Sequence, residues 1–161
     1  MLFSTKKTAI GRISIGEIDG SLSNLFFEND RIPETAVPGE TDLLCKAFTE
    51  LDAYLAGKLK SFSVPLSPCG TPFMLSVWRE ISVIPYGSTT TYRDIAIACG
   101  HERAVRAVGT ACRKNPLPVF VPCHRVVGSD GHLTGYRGGL FLKNILLDLE
   151  NRYKRRNSDS A

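Results

Sequence analysis

The spacing of apolar residues changes along this 161-residue chain from the period of a strand to the period of a helix, and this change restricts the fold more than any other feature. Three short strand-like segments occupy residues 2–10, 12–18 and 22–27. Residues 61–70 then form a connector with two prolines and a glycine, and helical patterns dominate beyond it. We therefore predict an α/β half over residues 1–65, a mainly α C-terminal domain over residues 70–150 and a polar tail over residues 151–161.

Helix start and stop signals predict five helices. The one in the first half begins at Thr41 and ends near Gly57. Those in the second half run from Thr71 to Ile84, from Thr91 to Gly100, from Arg103 to Lys114 and from Leu140 to Glu150. The two short helices in the middle are joined by a glycine-containing turn, which predicts a helix-turn-helix. Residues 119–127 are rich in valine, and we predict an extended stretch there.

Composition and charge narrow the class of protein. With 43% hydrophobic and 22% charged residues, the chain is typical of a soluble globular protein. No apolar run approaches the roughly 20 residues that cross a bilayer, and the N-terminus lacks a signal-peptide pattern, so we expect no membrane partner. Residues 1–60 contain 7 Lys and Arg against 9 Asp and Glu, whereas residues 61–161 contain 13 against 7. The second half would therefore attract a polyanion such as nucleic acid.

The five cysteines form no disulfide framework, because their number is odd and their spacing irregular. No Cys-x-x-Cys pair is present, so we expect reduced thiols and no metal site. Four of them are expected to be inert, since none lies beside a histidine within a stiff apolar stretch: Cys45, Cys69, Cys99 and Cys112.

Cys123 differs from the other four because it directly precedes His124 and Arg125 in the valine-rich stretch. A thiolate is the nucleophilic form of cysteine, and an imidazole held by a third group can generate it. The residues alone leave a nucleophile and an inert buried thiol equally open. The glycines of residues 128–139 allow close approach to a flat ligand, or only a flexible turn. Glu150, near a helix end, gains interest only if it orients another group.

Six segments follow one another in a specific order: Gly70-Thr71-Pro72-Phe73, Pro85-Tyr86-Gly87, Arg103-Ala104-Val105-Arg106-Ala107-Val108-Gly109, Asn115-Pro116, Pro122-Cys123-His124-Arg125-Val126-Val127, and Gly135-Tyr136 with Gly138-Gly139. In sequence, order and spacing this set resembles the O6-alkylguanine-DNA alkyltransferases, the methylated-DNA–protein-cysteine methyltransferases. The resemblance extends from Thr71 to Glu150. The first sixty residues are similar only loosely, to the variable α/β half-domain of that family.

The resemblance implies a ribonuclease-H-like N-terminal half and a winged-helix-like C-terminal domain that contains the helix-turn-helix. It implies DNA repair by direct reversal, in which Cys123 takes the alkyl group of O6-alkylguanine, and of O4-alkylthymine, after the nucleotide is flipped out of the duplex. The thioether product is not reversed by thiol chemistry, so each molecule reacts once. The implied partner is double-stranded DNA carrying O6-alkylguanine, and no cofactor or metal is implied. We expect a monomer, cytoplasmic or (in a eukaryote) nuclear, with cooperative binding on DNA left open.

Four residues match the reaction site of the family. Cys123 matches the alkyl acceptor, and Asn115 matches an asparagine that braces the acceptor turn. His124 and Glu150 match a relay from carboxylate to imidazole to water to thiol, which is the nucleophile, base and orienting group of many hydrolases.

Eleven positions match residues that contact the DNA or the extruded base: Tyr92, Arg106, Ala107, Gly109, Arg113, Arg125, Val126, Tyr136, Arg137, Gly138 and Lys143. In this match Tyr92 contacts the flipped guanine, Arg106 replaces it in the stack, and Tyr136 covers it. The carbonyl of Val126 would accept from the guanine amine, and Lys143 lies near the site. The alternatives are a core aromatic for Tyr92 and a phosphate contact for Arg106.

The sequence departs from the family pattern in two respects, and it leaves two other functions open. Arg137 stands where some relatives carry a small residue, which leaves the width of the pocket undecided, and the first half lacks the Cys/His zinc cluster of some relatives. A lesion sensor without chemistry would need no acceptor, so the presence of Cys123 argues against it. A hydrolase using Cys123, His124 and Glu150 is disfavoured if neighbours on an extended strand point to opposite sides.

Overall fold

The computed structural model describes residues 1–154 as two compact units, Met1–Cys69 and a second that begins at Gly70. Four strands form a sheet in the first unit: β1 Leu2–Thr8, β2 Gly11–Ile18, β3 Ser21–Phe26 and β4 Val37–Pro38. Their order is β3-β2-β1-β4, with β1 antiparallel to β2, β2 antiparallel to β3, and β4 parallel to β1. The turn between β2 and β3 has positive φ at Asp19 (49°) and Gly20 (77°), as tight hairpins require.

Helix α1, Asp42–Leu55, packs against β1 and β2 of this sheet. The hydroxyl of Thr41 accepts a hydrogen bond from the amide of Leu44 (3.1 Å) and so caps the helix. Its buried face consists of Leu44, Ala47, Phe48, Leu51 and Tyr54. With the fully buried Ile13 and Ile15 of β2, this face forms the core of the first unit.

The second unit begins with three helices, α2 Pro72–Ser82, α3 Tyr92–Ala98 and α4 Val105–Arg113. The hydroxyls of Thr71 and Thr91 cap α2 and α3, accepting from main-chain amides at 3.2 and 3.1 Å. The Trp78 indole donates to the carbonyl of Ala111 (2.9 Å), which ties α2 to α4. Helices α3 and α4, joined by the turn at Gly100, are the predicted helix-turn-helix.

The remaining elements surround the cysteine motif. A short 3-10 turn, Cys123–Arg125, leads into β6, Val126–Val127, which pairs in parallel with β5, Thr90–Thr91. Helix α5, Leu140–Lys154, packs against the 3-10 turn. Because β5 runs directly into α3, this pairing places the cysteine motif beside the helix-turn-helix.

The predicted extended stretch over residues 119–127 is wrong in its centre. Pro122 has φ −81° and ψ 61°, and its carbonyl accepts from the amide of Arg125 (2.9 Å), which closes a turn. Only Val126–Val127 pairs as a strand. The argument that neighbouring side chains point to opposite faces therefore does not apply to Cys123 and His124.

The last helix also differs from its prediction, since α5 continues past Glu150 to Lys154. The positive charges of Arg152 and Lys154 in the last turn interact favourably with the negative end of the helix dipole and stabilise the helix there. In addition, the Lys154 ammonium donates to the carbonyl of Gly87 (3.1 Å). Residues 151–154 of the predicted polar tail are therefore helical, and its residues 155–161 lie outside the described residues.

The sheet with its helix and the mainly helical second unit confirm the predicted fold class. Among the helices of residues 1–154, none combines the length and the apolar character that crossing a membrane requires.

Candidate active site

Cys123 opens the 3-10 turn with its side chain buried, 1% exposed. The Asn115 amide donates to its sulfur (3.1 Å) and to the carbonyl of Val121 (3.0 Å). The amide oxygen of Asn115 accepts from the main-chain N–H of Leu117 (2.9 Å). One fully buried side chain therefore fixes both ends of the segment that presents the sulfur; the resemblance implies such a bracing role for Asn115.

His124 and Arg125 both bind the carboxylate of Glu150. The Nε2 atom of His124 lies 2.9 Å from Oε1 of Glu150, and the guanidinium of Arg125 donates three hydrogen bonds to the two carboxylate oxygens at 2.8–3.1 Å. The amide of Gly87 donates to Oε2 (3.0 Å), and Arg125 donates to the carbonyl of Ile84 (2.7 Å). The carboxylate is thus held by donors from three residues, of which His124 and Arg125 are buried and Gly87 is half-buried.

This arrangement shifts the pKa values of Glu150, His124 and Cys123. Burial alone would raise the pKa of Glu150, but hydrogen bonds from His124 and Arg125 outweigh it and lower the pKa to about 2. Burial lowers the pKa of His124, against the opposing effect of Glu150. Burial also raises the pKa of the Cys123 thiol well above its ordinary value, although Asn115 and Lys143 act in the other direction. The resting site therefore holds a thiol beside a neutral imidazole, which is the protonation state that a general base needs.

Lys143 on α5 is fully buried and connects three parts of the site. Its ammonium donates to the carbonyls of Val126 (2.6 Å) and Thr134 (2.9 Å) and to the hydroxyl of Tyr92 (3.3 Å). The Tyr92 hydroxyl in turn donates to the same Thr134 carbonyl (3.0 Å). Tyr92 and Val126, both predicted to contact the base, are therefore joined through Lys143, and the glycine loop is anchored with them.

The loop that follows closes over the histidine. Tyr136 is 7% exposed, and its ring stands edge-on to that of His124 with centroids 6.4 Å apart. Burial raises the pKa of Tyr136, so its hydroxyl stays protonated. The guanidinium of Arg137 donates to the carbonyl of Asn115 (3.1 Å), and Gly138 is half-buried beside it. Arg137 thus fastens the loop to the same residue that braces Cys123.

Helix α4 presents different residues on opposite sides. Val108, Ala111 and Cys112 are buried against the unit, whereas Arg106, Ala107 and Arg113 are exposed, and Gly109 is half-buried between them. Arg113 also lies against the glycine loop, since a Cβ placed on Gly135 would stand 3.4–3.6 Å from its side chain. The small residues of α4 therefore serve core packing on one face and an open surface on the other.

Several residues of the site carry no signal in the sequence. Three residues take part only through main-chain hydrogen bonds, which any residue type can make: Gly87, Ile84 and Thr134. Cys112 was expected to be inert; it is buried on α4 and helps to raise the pKa of the Cys123 thiol. Its place three residues before Asn115, on the buried face of a helix, was the only available signal.

Comparisons with known proteins agree over both units of the chain. Residues 72–152 match the family model for the 6-O-methylguanine DNA methyltransferase DNA binding domain, and residues 1–68 match that for its ribonuclease-like domain. The inducible methylated-DNA–protein-cysteine methyltransferase of Bacillus subtilis is 43% identical over 93% of this chain and 84% of its own length. A methylated-DNA–protein-cysteine methyltransferase of Methanosarcina barkeri is 53% identical over 65% of this chain and 66% of its own length.

A solved structure also matches the fold of this chain closely. The crystal structure of Mycobacterium tuberculosis OGT in complex with DNA superposes with a TM-score of 0.89 at 38% identity, over 95% of this chain and 94% of that one. The fold and the site together define a class of protein with a helix-turn-helix and a buried cysteine braced by an asparagine. The chain belongs to the 6-O-methylguanine DNA methyltransferase family. This membership confirms the predicted ribonuclease-like character of the first unit.

Proposed function

We propose that this chain repairs alkylated DNA by moving the alkyl group from O6 of guanine to the sulfur of Cys123. Membership of the family supports the activity, which is a methylated-DNA–protein-cysteine methyltransferase activity. The observation that carries the assignment to one residue is the sulfur of Cys123, which Asn115 holds directly before the histidine that pairs with Glu150.

In the proposed reaction, neutral His124 takes the proton of the Cys123 thiol, through the bridging water that the resemblance implies. Glu150 stabilises the imidazolium that forms, because its low pKa keeps it ionised at neutral pH. The thiolate then forms a bond to the alkyl carbon as the bond between that carbon and O6 breaks. The guanine takes the bonding electron pair and gains one proton, which balances the proton that the thiol lost. The thioether has no leaving group, so one chain reacts once.

The base would occupy the space between Tyr92, Tyr136 and the 3-10 turn. In the free chain the hydroxyl of Tyr92 and the carbonyl of Val126 are engaged by Thr134 and Lys143. Binding of guanine therefore exchanges contacts within this group: the Val126 carbonyl accepts from the exocyclic amine, and Tyr92 turns its hydroxyl to the base. Arg137, which donates to the carbonyl of Asn115, is proposed to restrict the site to small alkyl groups.

Duplex DNA is the proposed partner, and the exposed side of α4 is its proposed contact. Arg106, Ala107 and Arg113 lie there with Gly109, so that charge for phosphates is combined with small residues for close approach. Extrusion of the damaged nucleotide leaves a gap that Arg106 fills. Arg125, predicted to contact DNA, is proposed instead to position Glu150, since the residue is 7% exposed and its guanidinium is bound to that carboxylate.

Three finer expectations stay predictions. They are a monomeric chain in solution, a cytoplasmic or nuclear location, and division of labour between residues 1–65 and 70–150, with chemistry and DNA binding confined to the latter.

A duplex carrying O6-methylguanine with a tritium-labelled methyl group tests the proposed function. With DNA in excess, the label should move to protein until one methyl group is bound per chain, and then stop. The Cys123→Ser variant should leave all label on the DNA while still binding it. Label that stays on the DNA with the unmodified chain would identify a lesion sensor, and label released into solution over many turnovers would identify a hydrolase.

A further inference from the structure

The turn between α2 and β5, residues 85–88, contributes a main-chain donor to the carboxylate of Glu150. The amide of Gly87 donates to Oε2 of Glu150 (3.0 Å). Directly before the turn, the carbonyl of Ile84 accepts from the guanidinium of Arg125 (2.7 Å), which itself binds Glu150. One short segment therefore supports both members of this buried ion pair.

The geometry of the turn decides where its amide points. The Ser88 amide donates to the carbonyl of Pro85 (3.0 Å), which closes a four-residue turn. The third residue, Gly87, has φ 74°, and the second, Tyr86, does not have positive φ, so the turn is of type II. Its central peptide is reversed relative to that of the commoner type I turn. A type I turn here would therefore direct the Tyr86 carbonyl, and not the Gly87 N–H, towards the carboxylate.

Two independent observations favour glycine at position 87. Its φ lies in the left-handed region that other residues rarely adopt. In addition, the stem of Lys154 covers it, since a Cβ placed on Gly87 would lie 2.7 Å from Cδ of that lysine. The Lys154 ammonium donates to the Gly87 carbonyl (3.1 Å). The end of α5 therefore holds the turn, and the turn holds Glu150 on the same helix.

The donor at Gly87 differs from the other donors to the carboxylate. Ionisable side chains face Glu150 from the 3-10 turn, the turn at residues 85–88 and the glycine loop: His124, Arg125, Tyr86 and Tyr136. In the proposed reaction His124 changes its protonation state, whereas a main-chain amide keeps its proton throughout. The amide of Gly87 therefore binds Oε2 both before and after His124 becomes charged.

We infer that Gly87 is a positioning residue for the alkyl transfer, whose amide fixes the rotation of the Glu150 carboxylate so that Oε1 stays directed at Nε2 of His124. The two donors bind opposite oxygens of the carboxylate, since His124 meets Oε1 and Gly87 meets Oε2. Loss of the amide donor lets the carboxylate turn and weakens its hold on the imidazole that takes the proton of Cys123. The effect on transfer rests on the proposed function, whereas the effect on Glu150 itself does not.

Gly87→Ala tests this inference, with Gly20→Ala as the matched control. Gly20 lies in the turn between β2 and β3 of the first unit, with nearly the same φ, 77°. A Cβ at Gly20 would meet nothing within 4 Å. Both variants place a side chain at positive φ, but only Gly87 contacts the proposed reaction site. Urea unfolding measures the cost of strain in each chain, so that a loss of stability can be separated from a loss of positioning.

The first measurement is the pKa of Glu150, from an NMR titration of its carboxyl carbon assigned with Glu150→Gln. Gly87→Ala should raise this pKa by roughly one unit, since two or three main-chain donors can lower the pKa of a carboxylate by about two units. Gly20→Ala should leave it unchanged. The same pKa in Gly87→Ala and in the wild type would overturn the inference.

The second measurement is the rate of methyl transfer within the complex with O6-methylguanine DNA at pH 7. It should fall roughly tenfold in Gly87→Ala, because misplacing a reacting group by about 1 Å can cost about a hundredfold. The affinity for the DNA should be unaltered, and Gly20→Ala should react as the wild type does. Equal rates in Gly87→Ala and the wild type would also overturn the inference.

Gly87→Asn supplies the rescue, because asparagine adopts positive φ more readily than alanine does and can keep the type II turn. It should restore the pKa of Glu150 and most of the transfer rate. An asparagine variant as slow as Gly87→Ala would contradict the inference, since bulk against Lys154 would then limit the reaction.

Should Gly87→Ala fail to fold, the wild-type chain still decides. The amide proton of Gly87 should change its NMR frequency with the same midpoint as Glu150, at about pH 2, and should lose this response in Glu150→Gln. An amide that does not respond to Glu150 would overturn the inference. If the wild type transfers no methyl group while Glu150 still responds to Gly87→Ala, the proposed function fails and the coupling between Gly87 and Glu150 stands.

Discussion

At the scale of single residues, the site depends on buried polar groups that each satisfy several partners. The amide of Asn115 meets one sulfur, one carbonyl and one main-chain N–H. The carboxylate of Glu150 receives donors from a histidine, an arginine and a glycine amide. Because such groups are costly to leave unpaired away from water, each substitution here should change stability as well as chemistry.

Asn115→Ala should lower the free energy of unfolding by about 1–3 kcal/mol, the cost of a buried polar group left without its partner. The orphaned groups are the amide of Leu117 and the carbonyl of Val121. Urea unfolding at neutral pH measures the loss, and the rate of methyl transfer should fall in the same variant. Asn144→Ala, an exposed change on α5, is the control and should leave both quantities unchanged. An Asn115→Ala chain as stable as the wild type would contradict the bracing role.

The low pKa of Glu150 predicts that the stability of the folded chain depends on pH. Its pKa is about 2 in the folded chain against an ordinary value of 4.5, so the ionised form is favoured by folding. The resulting stabilisation is complete above about pH 4.5 and is lost as the pH falls towards 2; it amounts to about 3 kcal/mol. Urea unfolding at a series of pH values should show this decline, and Glu150→Gln should flatten it. Asp148→Asn, an exposed change on the same helix, should retain the full decline; equal slopes in all three chains would refute the assignment.

At the scale of elements, the sequence predicts most helices and strands because their signals are local. Thr41, Thr71 and Thr91 cap helices where the pattern places them. The turn at Cys123 escapes prediction, since valines favour a strand there and the closing Pro122–Arg125 hydrogen bond depends on the surrounding fold. The pairing of Arg125 with Glu150 joins two distant segments, and a single sequence contains no record of that contact.

Lys143 should control the order of the glycine loop. Its ammonium donates to the Thr134 carbonyl, so Lys143→Met removes a hydrogen bond that ties residues 128–139 to α5. Hydrogen–deuterium exchange should then become faster in that segment, while α1 of the first unit serves as the internal reference. Lys114→Met, an exposed change at the end of α4, should exchange as the wild type does. Unchanged protection of residues 128–139 in Lys143→Met would show that the loop is held by other contacts.

Helix α4 should supply part of the electrostatic attraction to duplex DNA. Replacing exposed Arg106 by alanine removes one cation from the proposed contact, so the slope of log affinity against log salt should fall in magnitude by about 0.9. Fluorescence anisotropy with an unmodified duplex at several salt concentrations measures this slope. Arg79→Ala, an exposed change on α2, is matched in chemistry and should leave it unchanged. Identical slopes for the two variants would place the DNA elsewhere.

At the scale of the whole molecule, the first part of the chain has a net negative charge and the second part a net positive charge. Residues 61–161 carry 13 Lys and Arg against 7 Asp and Glu, and the second unit holds every residue of the proposed reaction. The first unit contributes a compact sheet and helix of its own. Family membership extends over both parts.

The central claim is that the sulfur of Cys123 becomes the permanent carrier of an alkyl group. The mass of the intact protein, measured after incubation with duplex DNA containing O6-methylguanine, tests it most directly. We predict a gain of one methyl group, located in the peptide Asn115–Arg125, and no gain in Cys123→Ser. An unchanged mass, or a methyl group found on any other cysteine, would contradict the account.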